Sequence, residues 1–407
     1  MIKSYFNATT LLCAILFLGV TAAPSSAQIQ WNGSIDFELN QGGEDSRFIT
    51  NGVPSKYKEA QLAITQFNAF MIAPISQNFF FESRLQLDTW GNGSLNDPRI
   101  ALASITWDDP NRSVILKAGR FVSPFGFYSK RPLSVDRVFT RLPLAYTNFT
   151  NISDIRGYWP QAGNNTNVEY DEGNVGLTTL YFGGYTTGLG GLWEIQQDRW
   201  FLDFALTNNT PISKAERSSL GNIAATARLQ FNPNIYWNQG FSLSYGNFLQ
   251  DDPINESGQE QTDFSSFTQF LIGTDYLLSF TYFEIVGEVV YSNWQVPRFN
   301  GVAFSETTNG ELETYSLSNI STNIDIKYES PRYSGAYLAI RAELLHFLEA
   351  DDPQSNQKIQ WDDNVERITA VIGYKLTRNL ITKLSFSEQT PFDASAYSFR
   401  ISLNAFF

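Results

Sequence analysis

The chain closes on YSFRISLNAFF, Tyr397 to Phe407. Tyr397, Phe399, Ile401, Leu403, Ala405 and Phe407 form one strictly alternating apolar face, and Ser398, Arg400, Ser402 and Asn404 form the other; only Phe406 breaks the polar side. Successive side chains of a strand point to opposite faces, so this segment is a strand apolar on one side and hydrated on the other. A closed sheet with lipid outside and water inside asks that pattern of every strand. The last strand of a soluble sandwich reads the same way, so the rest of the chain has to decide.

The other end names a compartment. Met1 to Ala27 carries Lys3 near the start, an apolar run from Leu11 to Val20, and small residues at Ser25, Ser26 and Ala27. Together these describe a secretory signal peptide cleaved after Ala27, with Ala23 as the second choice. The apolar run falls short of the roughly 20 residues that span a bilayer. Cys13 lies inside it, behind Leu12 rather than a small residue, so lipidation there is disfavoured. Residues 28–407 then hold no cysteine, which removes disulfides, thiolate metal sites and thiol nucleophiles.

After the signal, polar or charged residues interrupt every apolar run long before membrane length, yet aromatic residues make up 15% of the chain. That combination suits a transmembrane barrel, whose outer face is apolar and aromatic and whose inner face is polar. The formal net charge is −13, and −14 without Lys3, which argues against a nucleic-acid partner.

Reading on with period two yields about sixteen strand-type segments from Gln28, with 14 or 18 as neighbouring counts. In the first, Ile29, Trp31, Ile35, Phe37 and Leu39 face one way and Gln30, Asn32, Ser34, Asp36 and Glu38 the other. Links alternate between long and short: long over 41–56, short over Pro74 to Asn78, short again at Asp108, Asp109 and Pro110. Segments Asn174 to Tyr185 and Trp193 to Thr207 are placed on either side of a glycine-rich turn at Gly188 to Gly191, although the parity changes near Gln196 to Arg199. An even count sets both termini on the periplasmic side. No Pro- or Ser-rich linker divides 28–407, so one domain is expected, an all-β, antiparallel up-and-down transmembrane barrel.

Assigning the polar parity to the lumen puts Asp36, Glu38, Glu82, Asp88, Asp275, Glu284, Glu288, Asp325 and Glu343 inside, with Arg84, Arg228, Lys327, Arg341, Arg367, Lys375, Lys383 and Arg400. A midplane Arg or Lys against lipid costs about 2–4 kcal/mol, so their shared parity itself supports a wet interior. Acid dominates at 275–288, and Arg367, Lys375, Lys383 and Arg400 lie on the last three strands. Two arrangements follow: opposed walls with a transverse field, or salt bridges that neutralise one another.

Val122 to Asp171 is far longer than the other links, and basic within an acidic chain through Lys130, Arg131, Arg137, Arg141 and Arg156. A link of that length needs a reason, and folding inward to narrow the lumen supplies one; an external loop whose cations meet lipopolysaccharide phosphates is the other. GRFVSPFG, Gly119 to Gly126, running into FYSKRPLSVDR, resembles a stretch of the phosphate-selective porin O/P group of Gram-negative bacteria. The resemblance covers roughly 25 residues and the general strand plan. It implies that Arg120, Lys130, Arg131, Arg137 and Arg141 attract anions at a constriction, and a homotrimer is the assembly common among such barrels. The aromatic carboxy terminus also resembles the signal by which barrel-assembly machinery recognises outer-membrane proteins.

The Asp-Asp-Pro turns at Asp108, Asp251 and Asp351 lack the Asp-x-Asp-x-Asp-Gly spacing of a calcium loop, and turn chemistry accounts for them. His346 is the one histidine. It shares parity with Leu338, Ile340 and Leu344 and has no polar companion on that face, so no general base is in view, no enzyme is expected, and no metal or cofactor either. The expected function is passive diffusion of small hydrophilic solutes or ions through an outer-membrane barrel. The alternative is a surface adhesion or structural barrel with a plugged pore.

Overall fold

The computed structural model describes residues 28–43, 60–88, 98–111, 113–154, 156–160, 176–180, 185–208, 223–249, 266–300, 304–307, 309–352, 357–390 and 396–407. The expected signal peptide, the turn expected at Asp251 and the end of the long link at 161–171 lie outside them. The chain runs through β1 (Gln30–Gly42), β2 (Gln61–Pro74), β3 (Phe79–Asp88), β4 (Arg99–Asp108) and β5 (Val114–Val122). Next come β6 (Ile152–Ser153) and β7 (Gly157–Tyr158), then β8 (Tyr185–Gln196), β9 (Trp200–Asn208), β10 (Ile223–Asn234), β11 (Trp237–Asn247), β12 (Thr268–Phe280) and β13 (Phe283–Pro297). It ends with β14 (Thr314–Glu329), β15 (Ala336–Phe347), β16 (Ala350–Asp351), β17 (Lys358–Ile359), β18 (Val365–Thr377), β19 (Leu380–Thr390) and β20 (Tyr397–Phe406).

Sixteen of these close an antiparallel barrel in sequence order, while β6 with β7 and β16 with β17 form two separate two-residue ladders. Closure joins the ends of the chain: β1 pairs with β20 from Ser34 opposite Phe406 to Gly42 opposite Ser398. Gly33 finishes the seam, exchanging backbone hydrogen bonds of 2.6 and 2.8 Å with Phe407. A Cβ on Gly33 would stand 2.6 Å from the Phe407 ring, which is why glycine occupies that position. Phe406, the one apolar residue on the polar face of the last strand, meets the ring of Phe70 at 6.1 Å between centroids.

One turn is misplaced by sequence pattern. Gly188 to Gly191 lie inside β8, and the reversal into β9 falls at Gln197 to Arg199, where Asp198 adopts φ 57°. The glycines answer crowding by adjacent strands: a Cβ on Gly188 would sit 2.1 Å from the Leu206 carbonyl oxygen, and one on Gly190 2.8 Å from the Phe121 ring. Of the expected segment Asn174 to Tyr185, residues 176–180 form no strand, since Leu177 and Leu180 donate backbone bonds to Ile152 and Ala145 of the long link, and Tyr185 opens β8; 174–175 and 181–184 lie outside the described residues.

The outer surface is apolar, with Ile, Leu and Phe side chains alternating with buried inward residues on strand after strand. Aromatic rings collect at the short-turn end: Trp200 stacks on Phe231 at 4.3 Å, Phe280 on Phe283 at 5.9 Å, and Phe283 meets Tyr328 at 5.1 Å. Such girdles mark a membrane interface. His346 is on this outer face, opposite Ile320. Depth-dependent cost follows. Leu243→Arg, mid-strand on the outer face, is expected to lower unfolding free energy in bilayers by about 2–4 kcal/mol, whereas Ile235→Arg at a turn tip costs about 0–1 kcal/mol. Denaturant titration of both variants in liposomes checks the contrast.

Candidate functional site

Between β5 and β8 the chain leaves the wall, and of its described residues, 123–154 and 156–158 run through the barrel interior. The entry is at Gly126, φ 72°, where a Cβ would lie 2.4 Å from Glu288 Oε1. From there the loop is fastened station by station to inward-facing side chains. Ser242 Oγ accepts from the Gly126 N–H at 3.0 Å, and Glu288 Oε1 accepts from the Phe127 N–H at 2.8 Å and the Tyr146 hydroxyl at 3.1 Å. Asp325 accepts from the Tyr128 hydroxyl at 2.6 Å, Asp36 from Ser134 Oγ at 2.7 Å, and Glu343 from the Leu144 N–H at 2.8 Å. Lys383, fully buried, donates to the carbonyls of Ser134 (2.5 Å) and Arg137 (2.8 Å). Burial and the neighbouring Asp325 and Glu288 carboxylates push the Tyr128 and Tyr146 phenols well up, so both remain protonated donors.

The wall that receives the loop is a belt of matched charge. Asp325 and Arg341 face each other across β14 and β15 with two hydrogen bonds of 2.6 Å. Glu343 and Arg367 repeat the arrangement on β15 and β18 at 2.7 and 2.9 Å. Arg400 of β20 reaches Glu38 of β1 at 3.0 Å. Arg228 of β10 and Asp275 of β12 pair at 2.6 and 3.1 Å over the intervening β11, where Gly240 makes room: its Cβ would come within 2.3 Å of Asp275 and 2.5 Å of Arg228. Two-pronged guanidinium–carboxylate contacts are the strong, geometrically specific kind. Spare guanidinium hydrogens then hold the loop, Arg341 on the Arg141 carbonyl and Arg367 on that of Leu142, both at 2.9 Å.

The basic residues singled out from sequence have separate fates. Arg137 is consumed by the loop itself, donating to the carbonyls of Arg131, Pro132 and Thr140 and to Ser134 Oγ; burial pushes it down to about 10, with Asp36 opposing. Arg141 reaches Glu38 at 3.4 Å, Lys130 pairs with Asp203 of β9, and Arg131 lies over the Phe127 ring at 3.9 Å. Arg120 is a half-buried strand residue of β5 opposite Ala103. Of the expected lumen charges, Arg84 is buried and bonds Asn68, Gln86 and Tyr185, and Glu82 pairs with Lys117 at 3.3 Å. Glu284 and Lys375 keep solvent access beneath the loop. The acidic strands β12 and β13 stand at most six places from β18–β20 in a ring of sixteen, short of the eight that opposite walls need. Neighbour-to-neighbour neutralisation therefore replaces the opposed-wall arrangement.

Sequence parity missed part of the interior. Trp294, Leu317, Leu345, Phe347 and Val365 share the inward parity and are fully or almost fully buried, packed with Leu144, Ile152, Tyr158 and Leu177 of the loop. Apolar residues at inward positions near the long-link ends of β13, β14, β15 and β18 are the signal, legible only once something is known to cover them. Below the loop, at the short-turn end, a cavity of about 470 Å³ is bounded by Lys130, Arg131, Asp136, Glu284, Lys327 and Lys375. Among the described residues no cluster of three or more His, Cys, Asp or Glu could hold a metal ion.

Fold and interior together define a transmembrane up-and-down β-barrel with an inward-folded loop. No protein-family model matches the chain, and no curated protein matches it. Solved structures do match. OmpT, an outer membrane protein of Vibrio cholerae, has a TM-score of 0.56 at 7% identity over 95% of this chain and 99% of its own. The anion-selective porin from Comamonas acidovorans gives 0.55 at 10% over 94% and 100%, and the outer membrane channel DcaP of Acinetobacter baumannii 0.52 at 11% over 95% and 98%. At these identities the likeness is one of fold.

Proposed function

We propose that the protein is an outer-membrane diffusion channel for small hydrophilic solutes or ions, exported by its signal peptide and delivered to barrel-assembly machinery through its last strand. The carrying observation is the loop from Gly126 to Asn151, laid through the interior on a charged wall and leaving solvent-reached charges such as Glu82, Lys117 and Lys130 on the inner surface. Outer-membrane lipid and lipopolysaccharide would surround it, and a homotrimer is the assembly we expect. Phosphate selectivity, the finer reading, draws support from the basic cavity beneath the loop. The pairing of Arg141 with Glu38 and of Lys130 with Asp203 weighs against it, so a modest ion preference is inferred. His346 on the outer face gives no support to catalysis.

The apolar cluster around Trp294 and Trp361, which fills part of the interior near the long-link end, favours a second reading, a structural or adhesive barrel closed by its own loop. Liposome swelling separates the two. A channel is expected to admit arabinose-sized sugars, and liposomes that stay shrunken in such sugars would assign the plugged reading.

A further inference from the structure

The membrane-facing surface of β14, β15, β18, β19 and β20 carries a groove of about 420 Å³, bordered by Leu338, Ile340, Ala370, Ile372, Phe386 and Phe399. Its floor has a cause in register. Ala370 stands directly opposite Ile340 on one side and Phe386 on the other, so the smallest side chain of the row lies between two large ones. The volume is of the order of one acyl chain, and the groove crosses the five strands along the row Ile326, Ile340, Ala370, Phe386 and Phe399, with Tyr328 and Leu338 in the next row toward the short turns.

At its short-turn end the groove meets a basic rim. The turn 330–335 is bonded to β18 by the Lys375 N–H to Gly335 carbonyl bond of 2.9 Å, three residues before Arg378 in the turn that follows, so Arg332 and Arg378 lie on neighbouring turns of the same rim. Both are exposed, and neither has an ion-pair partner among the described residues. Tyr333 and Tyr374, also exposed, stand beside them at the level where tyrosines mark the headgroup region. In a chain of net charge −13, two unmatched arginines above an apolar groove are a local inversion of charge.

We propose that this groove and rim form a binding site for one anionic phospholipid, its acyl chain over Ala370 and its phosphate between Arg332 and Arg378. The short-turn end of such a barrel faces the periplasmic leaflet, where glycerophospholipid rather than lipopolysaccharide lies, so the site selects a phosphatidylglycerol-type lipid. A neutral or zwitterionic lipid fills the groove equally well but loses part of the attraction at the rim. The site is separate from the lumen, and its occupancy does not depend on whether the barrel conducts.

The test uses the mature protein in mild detergent with equal amounts of phosphatidylglycerol and phosphatidylethanolamine, read by native mass spectrometry. One retained phosphatidylglycerol per chain is expected. Arg332→Gln with Arg378→Gln lowers its retention about tenfold and abolishes the preference between the lipids. Ala370→Leu, which fills the floor, lowers retention of both. Arg199→Gln, an exposed rim arginine on the β8–β9 turn, leaves retention unchanged, and heat-modifiable mobility on gels confirms that each variant is folded. Undiminished phosphatidylglycerol in the double arginine variant, an equal loss in Arg199→Gln, or preferential retention of lipopolysaccharide would each overturn the site. So would efficient chain-to-chain cross-linking through Ala370→Cys, which would show a second copy seated on the groove.

Discussion

Replacing Phe127 to Asn148 with a short Gly-Ser bridge is expected to raise single-channel conductance several-fold in planar bilayers. Within this segment Phe139, Leu142, Leu144 and Tyr146 are all fully or nearly fully buried although no strand contains them. Removing it leaves the wall able to stand. Asp325 keeps Arg341, Glu343 keeps Arg367, and Arg228 keeps Asp275, because those pairs run between strands and do not pass through the loop. Their freed hydrogen-bonding positions go to water, which costs little where a lumen is already wet. The shortened chain should therefore fold, and its conductance reports the cross-section the loop had occupied. Conductance equal to that of the intact protein would show that the narrowest point lies elsewhere, and the constriction assigned to this loop would be lost.

How far the interior could be foreseen depends on which force wrote each signal. Strand periodicity on β14, β15, β18 and β19 survives without interruption, because one face meets lipid along its whole length and a one-residue slip would put every charge against hydrocarbon. Parity alone therefore assigned Arg341, Arg367, Lys383 and Arg400 to the inner face, and in the fold all four side chains are buried. Glycines misled: Gly188 to Gly191 look like a turn, but their cause is the approach of Leu206, Phe121 and Ile115 from neighbouring strands, a contact that has no trace in local sequence. Pairing was equally hidden. That Arg341 takes Asp325 rather than Glu343 follows from ladder register across a turn, Ser330 to Gly335, whose length only the folded hairpin defines. The basic loop was legible as unusual, but not the division of labour within it, where Arg137 serves loop carbonyls, Arg141 reaches Glu38 and Lys130 pairs with Asp203.

Asp325→Asn is expected to cost about 3–5 kcal/mol of unfolding free energy, far more than the loss of any solvent-reached pair in the barrel. Arg341 is 2% exposed and spends two hydrogen bonds of 2.6 Å on Asp325, so the amide leaves a buried guanidinium without counter-charge. The same carboxylate receives the Tyr128 hydroxyl at 2.6 Å, which ties the damage to the docking of the loop. Glu82→Gln is the comparison. Its partner Lys117 retains 37% side-chain exposure, and a screened pair of that kind contributes about 0–1 kcal/mol. The double variant Asp325→Asn with Arg341→Met removes both charges, and because Arg341 packs over Phe139 at 4.3 Å an apolar replacement keeps that contact. Stability should return most of the way toward the parent, since the destabilisation lies in the orphaned charge more than in the lost bond. Guanidinium titrations of the three variants in detergent decide it. Equal stability of Asp325→Asn and Glu82→Gln would mean that water reaches Arg341 and that the charged belt is wetter than its burial implies.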